Sequence, residues 1–173
     1  NRPELIIAYA ESMFEVASFI ERNGIAIVPQ KAIITSAGTL YPSMREKISE
    51  VFQCPVYNQY GSREVGAIAC ELPGHEGLWV APWGNYLEIV DSQHQNLPDG
   101  ADGEIIVTSL NNYAMPLIRY QIGDCGALEP QGNQVVGLQH LKNLRGRTNG
   151  IFKLKDGTLV DAQFFEFLVY FKY

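Results

Sequence analysis

With 173 residues the chain is long enough for one domain or parts of two, and 46% apolar against 18% charged side chains, with 16 Gly and 9 Pro, describe a compact, loop-rich protein rather than a disordered one. A net charge of -6 without a Lys/Arg cluster argues against a nucleic-acid partner, because neutralising phosphates needs a basic face. No apolar run reaches the roughly 20 residues of a membrane span and no basic-then-apolar leader opens the chain, so the expectation is a soluble, cytoplasmic protein with no membrane partner.

The first element is a helix. Ser12-x-x-Glu15 is a capping box, and Met13, Val16, Ala17 and Ile20 recur at helical spacing until Asn23-Gly24. Residues 25–28 and 32–35 read as short buried strands. Pro42 opens a second helix, with Met44, Ile48, Val51 and Phe52 on one face. Val56-Tyr57, led by Pro55, is a strand that feeds a turn at Tyr60-Gly61. Strand, helix, strand in this order predicts an α/β layer with a parallel sheet.

Beyond Glu64 the pattern changes to short strand-like runs, 65–71, 78–81, 86–91, 104–108 and 126–128, separated by Gly, Pro, Asn and Asp. Asp99-Gly100-Ala101-Asp102-Gly103 makes one tight turn among them, and the spacing predicts an antiparallel sheet or small barrel. Runs 151–154 and 158–160 flank Asp156-Gly157, a strong hairpin signal, before an apolar run over 164–171. The expected division is 1–64 as an α/β subdomain, 65–145 as a β-rich subdomain, and 146–173 as a third segment. The chain begins at Asn1 and stops inside an aromatic-rich run, so it reads as a central segment of something longer.

Several short motifs carry chemistry. Ser36-Ala37-Gly38 lies between a buried strand and a helix, where Gly38 lets a flat ring lie against the backbone or simply closes an ordinary turn. In Asn58-Gln59-Tyr60-Gly61-Ser62-Arg63-Glu64 the Tyr60 ring offers a stacking face for a base, Gly61 permits a turn, and Glu64 is a hard oxygen ligand suited to magnesium beside phosphates. Arg63 suits a phosphate or a substrate carboxylate, and the bland alternative is a surface turn with a solvated Arg-Glu pair. Asp124, after Arg119-Tyr120-Gln121-Ile122-Gly123, has two oxygens for the two donors of a vicinal diol if it sits at a strand end. Arg147 in Gly146-Arg147-Thr148-Asn149-Gly150 is a permanently charged fork suited to phosphate or ribose.

Cys54, Cys70 and Cys125 are odd in number without a close pair, so reduced thiols are the default. With His75 they offer four ligands of the kind that tetrahedral zinc prefers, in a spacing that fits no strong zinc pattern; three small core residues are the alternative. His94 and His140 have no Ser or Cys elbow nearby and are expected at the surface.

The order of the three polar motifs, Tyr60 to Glu64, Arg119 to Asp124 and Gly146-Arg147, resembles the adenylate-forming enzymes, most closely their phenylacetate-CoA ligase and CapK-like branch, over the span from about Ser36 to Glu166. The resemblance implies the α/β and β-rich parts of that family's large N-terminal domain, with 1–64 the second half of its nucleotide-binding subdomain, 65–145 its β-rich subdomain, and 146–173 a hinge and the start of a truncated C-terminal domain. It also implies an enzyme that activates a carboxylic acid with ATP and Mg2+ as an acyl-adenylate and transfers the acyl group to a thiol such as coenzyme A. Acyl transfer to a sugar or amine during capsule or secondary-metabolite synthesis, and a non-catalytic nucleotide-binding module, are the alternatives, and a homodimer is compatible with each. Carried over residue by residue, Gly38, Asn58, Tyr60, Gly61 and Ser62 would border the nucleotide. Glu64 would hold magnesium and act in catalysis, Asp124 would hold the ribose, and Arg147 would face ribose or phosphate and act in catalysis. Tyr57, Asn58 and Gly61 would line the acid pocket.

The departures from the family pattern are specific. Thr39 stands where an acid is usual, Arg63 where Thr is commonest, and Asn149-Gly150 where acids, the first a domain hinge, usually follow Gly-Arg-x. Lys153 falls where the family often has Lys. A Ser/Thr/Gly-rich phosphate loop is expected upstream and a catalytic Lys downstream.

Overall fold

The computed structural model describes residues 3–129, 137–145, 151–155 and 159–161, with the backbone alone described for 151–153 and 159–161. It forms two compact units, one running to Leu78 and the other starting at Trp79.

In the first unit β1 (Leu5–Tyr9) runs directly into α1 (Ala10–Arg22). The helix begins two residues before the capping box, because Tyr9, still extended, takes the N-cap position without a side-chain cap and leaves Ser12 inside the first turn. Ala10, Met13 and Ala17 bury one face of the helix. The Asn23 side chain donates to the Phe19 carbonyl at 2.8 Å, and Gly24 with φ +59° leads the chain away. β2 (Ala32–Ser36) and α2 (Pro42–Phe52) follow as the sequence predicts, with Pro42 in the first turn and Met44, Ile48 and Phe52 buried. Met13, Ala17, Ile33, Ile48, Phe52, Cys54 and Val56 pack into one core between helices and sheet.

β1, β2 and β3 (Val56–Ser62) are parallel neighbours, with Leu5 opposite Ala32 and Ile33 opposite Val56. β4 (Gly66–Leu72) adds antiparallel to β3. The sheet is therefore mixed. Two sequence expectations change. Residues 25–28 are irregular, with Ile25 and Val28 exposed, because β1 takes the place beside β2. Tyr60-Gly61 lies inside β3, and the turn is at residues 63–65.

The boundary between the units falls inside β5 (His75–Val80). The second unit holds β6 (Asn85–Val90), β7 (Gly103–Ser109), β8 (Tyr120–Leu128) and β9 (His140–Arg145), in the order β9-β8-β7-β6. Each pairs antiparallel with its neighbour, which gives a sheet with an open order. The pairing of β6 with β7 is continuous from Asn85 opposite Ser109 to Val90 opposite Glu104, and Leu87, Ile89, Ile105 and Val107 are buried along it. Gly100, at φ +84°, turns the chain into β7. The Asp-Gly hairpin signal corresponds to β10 (Ile151–Lys153) antiparallel to β11 (Leu159–Asp161). The fold class is thus an α/β layer followed by an antiparallel sheet. Among the described residues no helix is long and apolar enough to cross a membrane.

Candidate functional site

Two of the sequence motifs fall in the first unit, at the carboxyl ends of neighbouring parallel strands. Thr35 pairs with Asn58, so the Ser36-Ala37-Gly38 loop leaves β2 beside the part of β3 that carries Asn58, Tyr60 and Gly61. In open α/β sheets ligands bind outside these strand ends. Ala37 is left-handed at φ 67°, and a Cβ built on Gly38 would run into the carboxylate of Glu11, from the first turn of α1. The space over Gly38 is therefore held by the end of a flexible, exposed side chain.

Tyr60 is 9% exposed. Between it and Gly61 the ladder slips: Tyr60 faces Ala69 while Gly61 faces Ala67, which makes Ile68 the extra residue of a bulge. Gly61 approaches β4 so closely that a Cβ would collide with the Gly66 carbonyl, so this glycine is required for its contact with backbone. Ser62 ends the strand, and Arg63 and Glu64 are exposed in the 63–65 turn.

Tyr57 and Asn58, the expected acid-pocket residues, are half-buried on β3. Thr35, itself fully buried, donates its hydroxyl to the Tyr57 carbonyl at 3.3 Å. The Asn58 amide donates to Glu71 Oε2 at 2.7 Å. Glu71 in turn receives both terminal nitrogens of Arg45, at 2.9 and 2.7 Å, and Arg45 also donates to the Val56 carbonyl. Arg45 and Glu71 carried no signal in the sequence, where they lie 26 positions apart. Arg45, Tyr57 and Glu71 line an open depression of about 470 Å³ whose far rim is residues 74–77.

In the second unit Asp124 sits inside β8 and not at a strand end. Against β7, Glu104 faces Cys125 and Ile106 faces Gln121, so four residues of β8 span what two span on β7 and the 122–124 segment leaves the ladder. Gly123, at φ +90°, makes this excursion. Bulges re-aim side chains and are common beside active sites. The half-buried Asp124 side chain is therefore presented by irregular backbone. Arg119, from the same motif, has a structural partner: its Nε reaches Glu88 at 3.2 Å and its Nη2 the His94 carbonyl at 3.3 Å.

The zinc set is a correction. Among the described residues no group of three or more His, Cys, Asp or Glu side chains could hold a metal ion. Cys54 belongs to the apolar core, and burial is the largest influence raising the pKa of Cys54, Cys70 and Cys125 alike. His140 is a second correction. It is buried, stacked on Trp79 with ring centroids 4.4 Å apart, and its Nδ1 lies 2.5 Å from Glu129 Oε2. His94 is exposed, as expected. Arg147, Asn149 and Gly150 lie outside the described residues.

The α/β layer with its antiparallel companion is the fold of an acyl-CoA ligase structure. The 2-hydroxyisobutyryl-CoA ligase in its postadenylation state, in complex with R3-HIB-AMP, superposes with a TM-score of 0.79 at 18% identity, over 94% of this chain and 36% of that one. Sequence relatives lead to the particular branch. Protein CapK of Staphylococcus aureus is 30% identical over 163 residues, 92% of this chain and 34% of that protein. The phenylacetate-coenzyme A ligase of Aromatoleum evansii is 27% identical over 168 residues, 94% of this chain and 38% of that protein. No family model matches. The chain is a homologue of the phenylacetate-CoA ligase and CapK-like branch of the adenylate-forming enzymes, and spans somewhat over a third of the length of these relatives.

Proposed function

We propose that the protein to which this chain belongs activates a carboxylic acid with ATP as an acyl-adenylate and passes the acyl group to a thiol, coenzyme A being the leading acceptor and a phenylacetate-like acid the leading substrate. The observation that carries this reading is the placement of the Ser36-Ala37-Gly38 loop and the Asn58-to-Glu64 segment on adjacent carboxyl ends of β2 and β3. Homology to phenylacetate-CoA ligases supports the same chemistry.

In this reading a carboxylate oxygen of the acid attacks the α-phosphorus of ATP, and the bond from that phosphorus to the β-bridging oxygen breaks to release pyrophosphate. The thiolate then attacks the acyl carbon, and AMP departs with one oxygen of the acid. Gly38 and Tyr60 border the adenine, and Asn58, Gly61 and Ser62 border the nucleotide beside them. Asp124 accepts the ribose hydroxyls, with Arg147 toward ribose or phosphate. Tyr57, Asn58 and Gly61 line the acid pocket. Magnesium fits Glu64, because a single exposed carboxylate is the kind of ligand the ion takes beside substrate phosphates, and when bound it offsets phosphate charge. The cytoplasm, where ATP and coenzyme A are supplied, is the proposed setting.

A panel of aryl and alkyl carboxylic acids, tested for ATP-dependent pyrophosphate release by the full-length protein, tests the reading. Release with at least one acid, sustained only when a thiol is added, is expected. Release independent of any acid contradicts it.

A further inference from the structure

Between Val56 and Asn58, β3 has a regular parallel partner in β2 on one side, whereas its pairing with β4 starts only at Gln59 opposite Cys70. On that second side the Val56 carbonyl and the Asn58 amide are satisfied by side chains: the carbonyl by Arg45 from α2, the amide by Glu71 from β4. The two side chains are joined to each other by a bidentate pair and are 36% and 21% exposed. A planar guanidinium facing a carboxylate fixes orientation as well as distance. The ion pair therefore replaces the ladder bonds that this stretch of strand lacks, and the strand it holds borders the open depression.

We propose that Arg45 and Glu71 are positioning residues that set the backbone of Tyr57 and Asn58 and thereby shape the acid pocket. The proposal rests on the ligase reading for its substrate, but its physical content is the geometry of three residues in one unit. Neither side chain need touch the acid. Arg45 draws the start of the segment toward α2 through the Val56 carbonyl, and Glu71 draws its end toward β4 through the Asn58 amide. Tyr57, between these two anchors, is held by Thr35 through its own carbonyl. All three consecutive residues are thus fixed by named side chains, which is the arrangement expected where a side chain must meet a ligand in one orientation.

The variants are Glu71→Gln, Glu71→Asp and Arg45→Lys in the full-length enzyme, with KM for the acid and for ATP measured separately and amide exchange of Asn58 followed by NMR or mass spectrometry. Glu71→Gln keeps an acceptor but loses the charge-assisted pair, so KM for the acid, whose pocket both Tyr57 and Asn58 line, should rise about tenfold, and KM for ATP, which only Asn58 of the two also borders, should rise by a smaller factor. Arg45→Lys should act in the same direction, since an ammonium cannot reproduce the fork. Asn58 exchange should quicken about tenfold or more, with the Ile33 amide, bonded to the Pro55 carbonyl, unchanged. Glu71→Asp should recover part of both effects. Equal rises in the two KM values together with a lower unfolding midpoint would reduce the pair to general stability, and unchanged Asn58 exchange in Glu71→Gln would overturn the positioning role. A wild-type enzyme silent with every acid would overturn the ligase reading, and Asn58 exchange would then still decide whether the pair positions the strand.

Discussion

Asp124 and Glu64 are presented by irregular backbone, and Gly61 is locked inside a strand pair. Asp124 stands where β8 leaves its ladder, so its removal disturbs no strand pairing. Asp124→Ala is expected to weaken AMP binding by about 1.5–3 kcal/mol, the range for hydrogen bonds to a charged group. Calorimetry on the full-length protein measures it, and unchanged affinity would remove Asp124 from the ribose. Glu64 occupies an exposed turn, and Glu64→Gln keeps its shape while losing the charge a hard cation needs. Adenylation should fall strongly while AMP binding without magnesium stays the same; equal damage to both would indicate a structural role. Gly61 is the opposite case. Gly61→Ala places a methyl against the Gly66 carbonyl, in backbone that cannot give way cheaply, and should cost about 1–3 kcal/mol as read from the urea midpoint.

At the level of elements, the sequence reveals much of the α/β part and the hairpins, and it misplaces what depends on tertiary neighbours. Pro42 and the Met44, Ile48, Phe52 stripe define α2 locally, and the structure agrees. α1 starts at Ala10 and not at the capping box, because β1 delivers the chain in extended form straight into the helix, a continuity that no cap residue marks. Residues 25–28 are as apolar as a strand, yet only one strand can lie beside β2 on that side, and β1 holds the place. β9 escapes detection because His140-Leu141-Lys142-Asn143-Leu144-Arg145 lacks a simple alternation, and its buried face depends on His140 stacking against Trp79. The slip at Gly61 and the excursion at Gly123 are legible only as glycines, since a bulge is a property of two strands.

The same element carries a pH dependence. Hydrogen bonds from Lys142 and then His140 hold the Glu129 carboxyl below its ordinary value. A carboxylate depressed on folding contributes stability that is fully present above its unfolded pKa and disappears as pH falls through the lower folded value. The urea midpoint should therefore fall as pH drops below the ordinary glutamate value of 4.5, and Glu129→Gln should flatten part of that fall. An identical slope in the variant would show that Glu129 titrates alike in folded and unfolded chains.

For the whole molecule, the chain is similar to Protein CapK and to a phenylacetate-coenzyme A ligase over 34% and 38% of their lengths, so the proposed activity is one for the full-length protein to show. The proposed activity turns on attack of a carboxylate oxygen on the α-phosphorus, and that oxygen can be followed directly. A carboxylic acid accepted by the full-length protein, labelled with oxygen-18 in its carboxyl group, is incubated with ATP, magnesium and thiol, and the products are weighed by mass spectrometry. AMP carrying one heavy oxygen, unlabelled pyrophosphate and an acyl thioester are the expected products. Heavy oxygen in inorganic phosphate with ADP as the other product, or AMP without label, would contradict it.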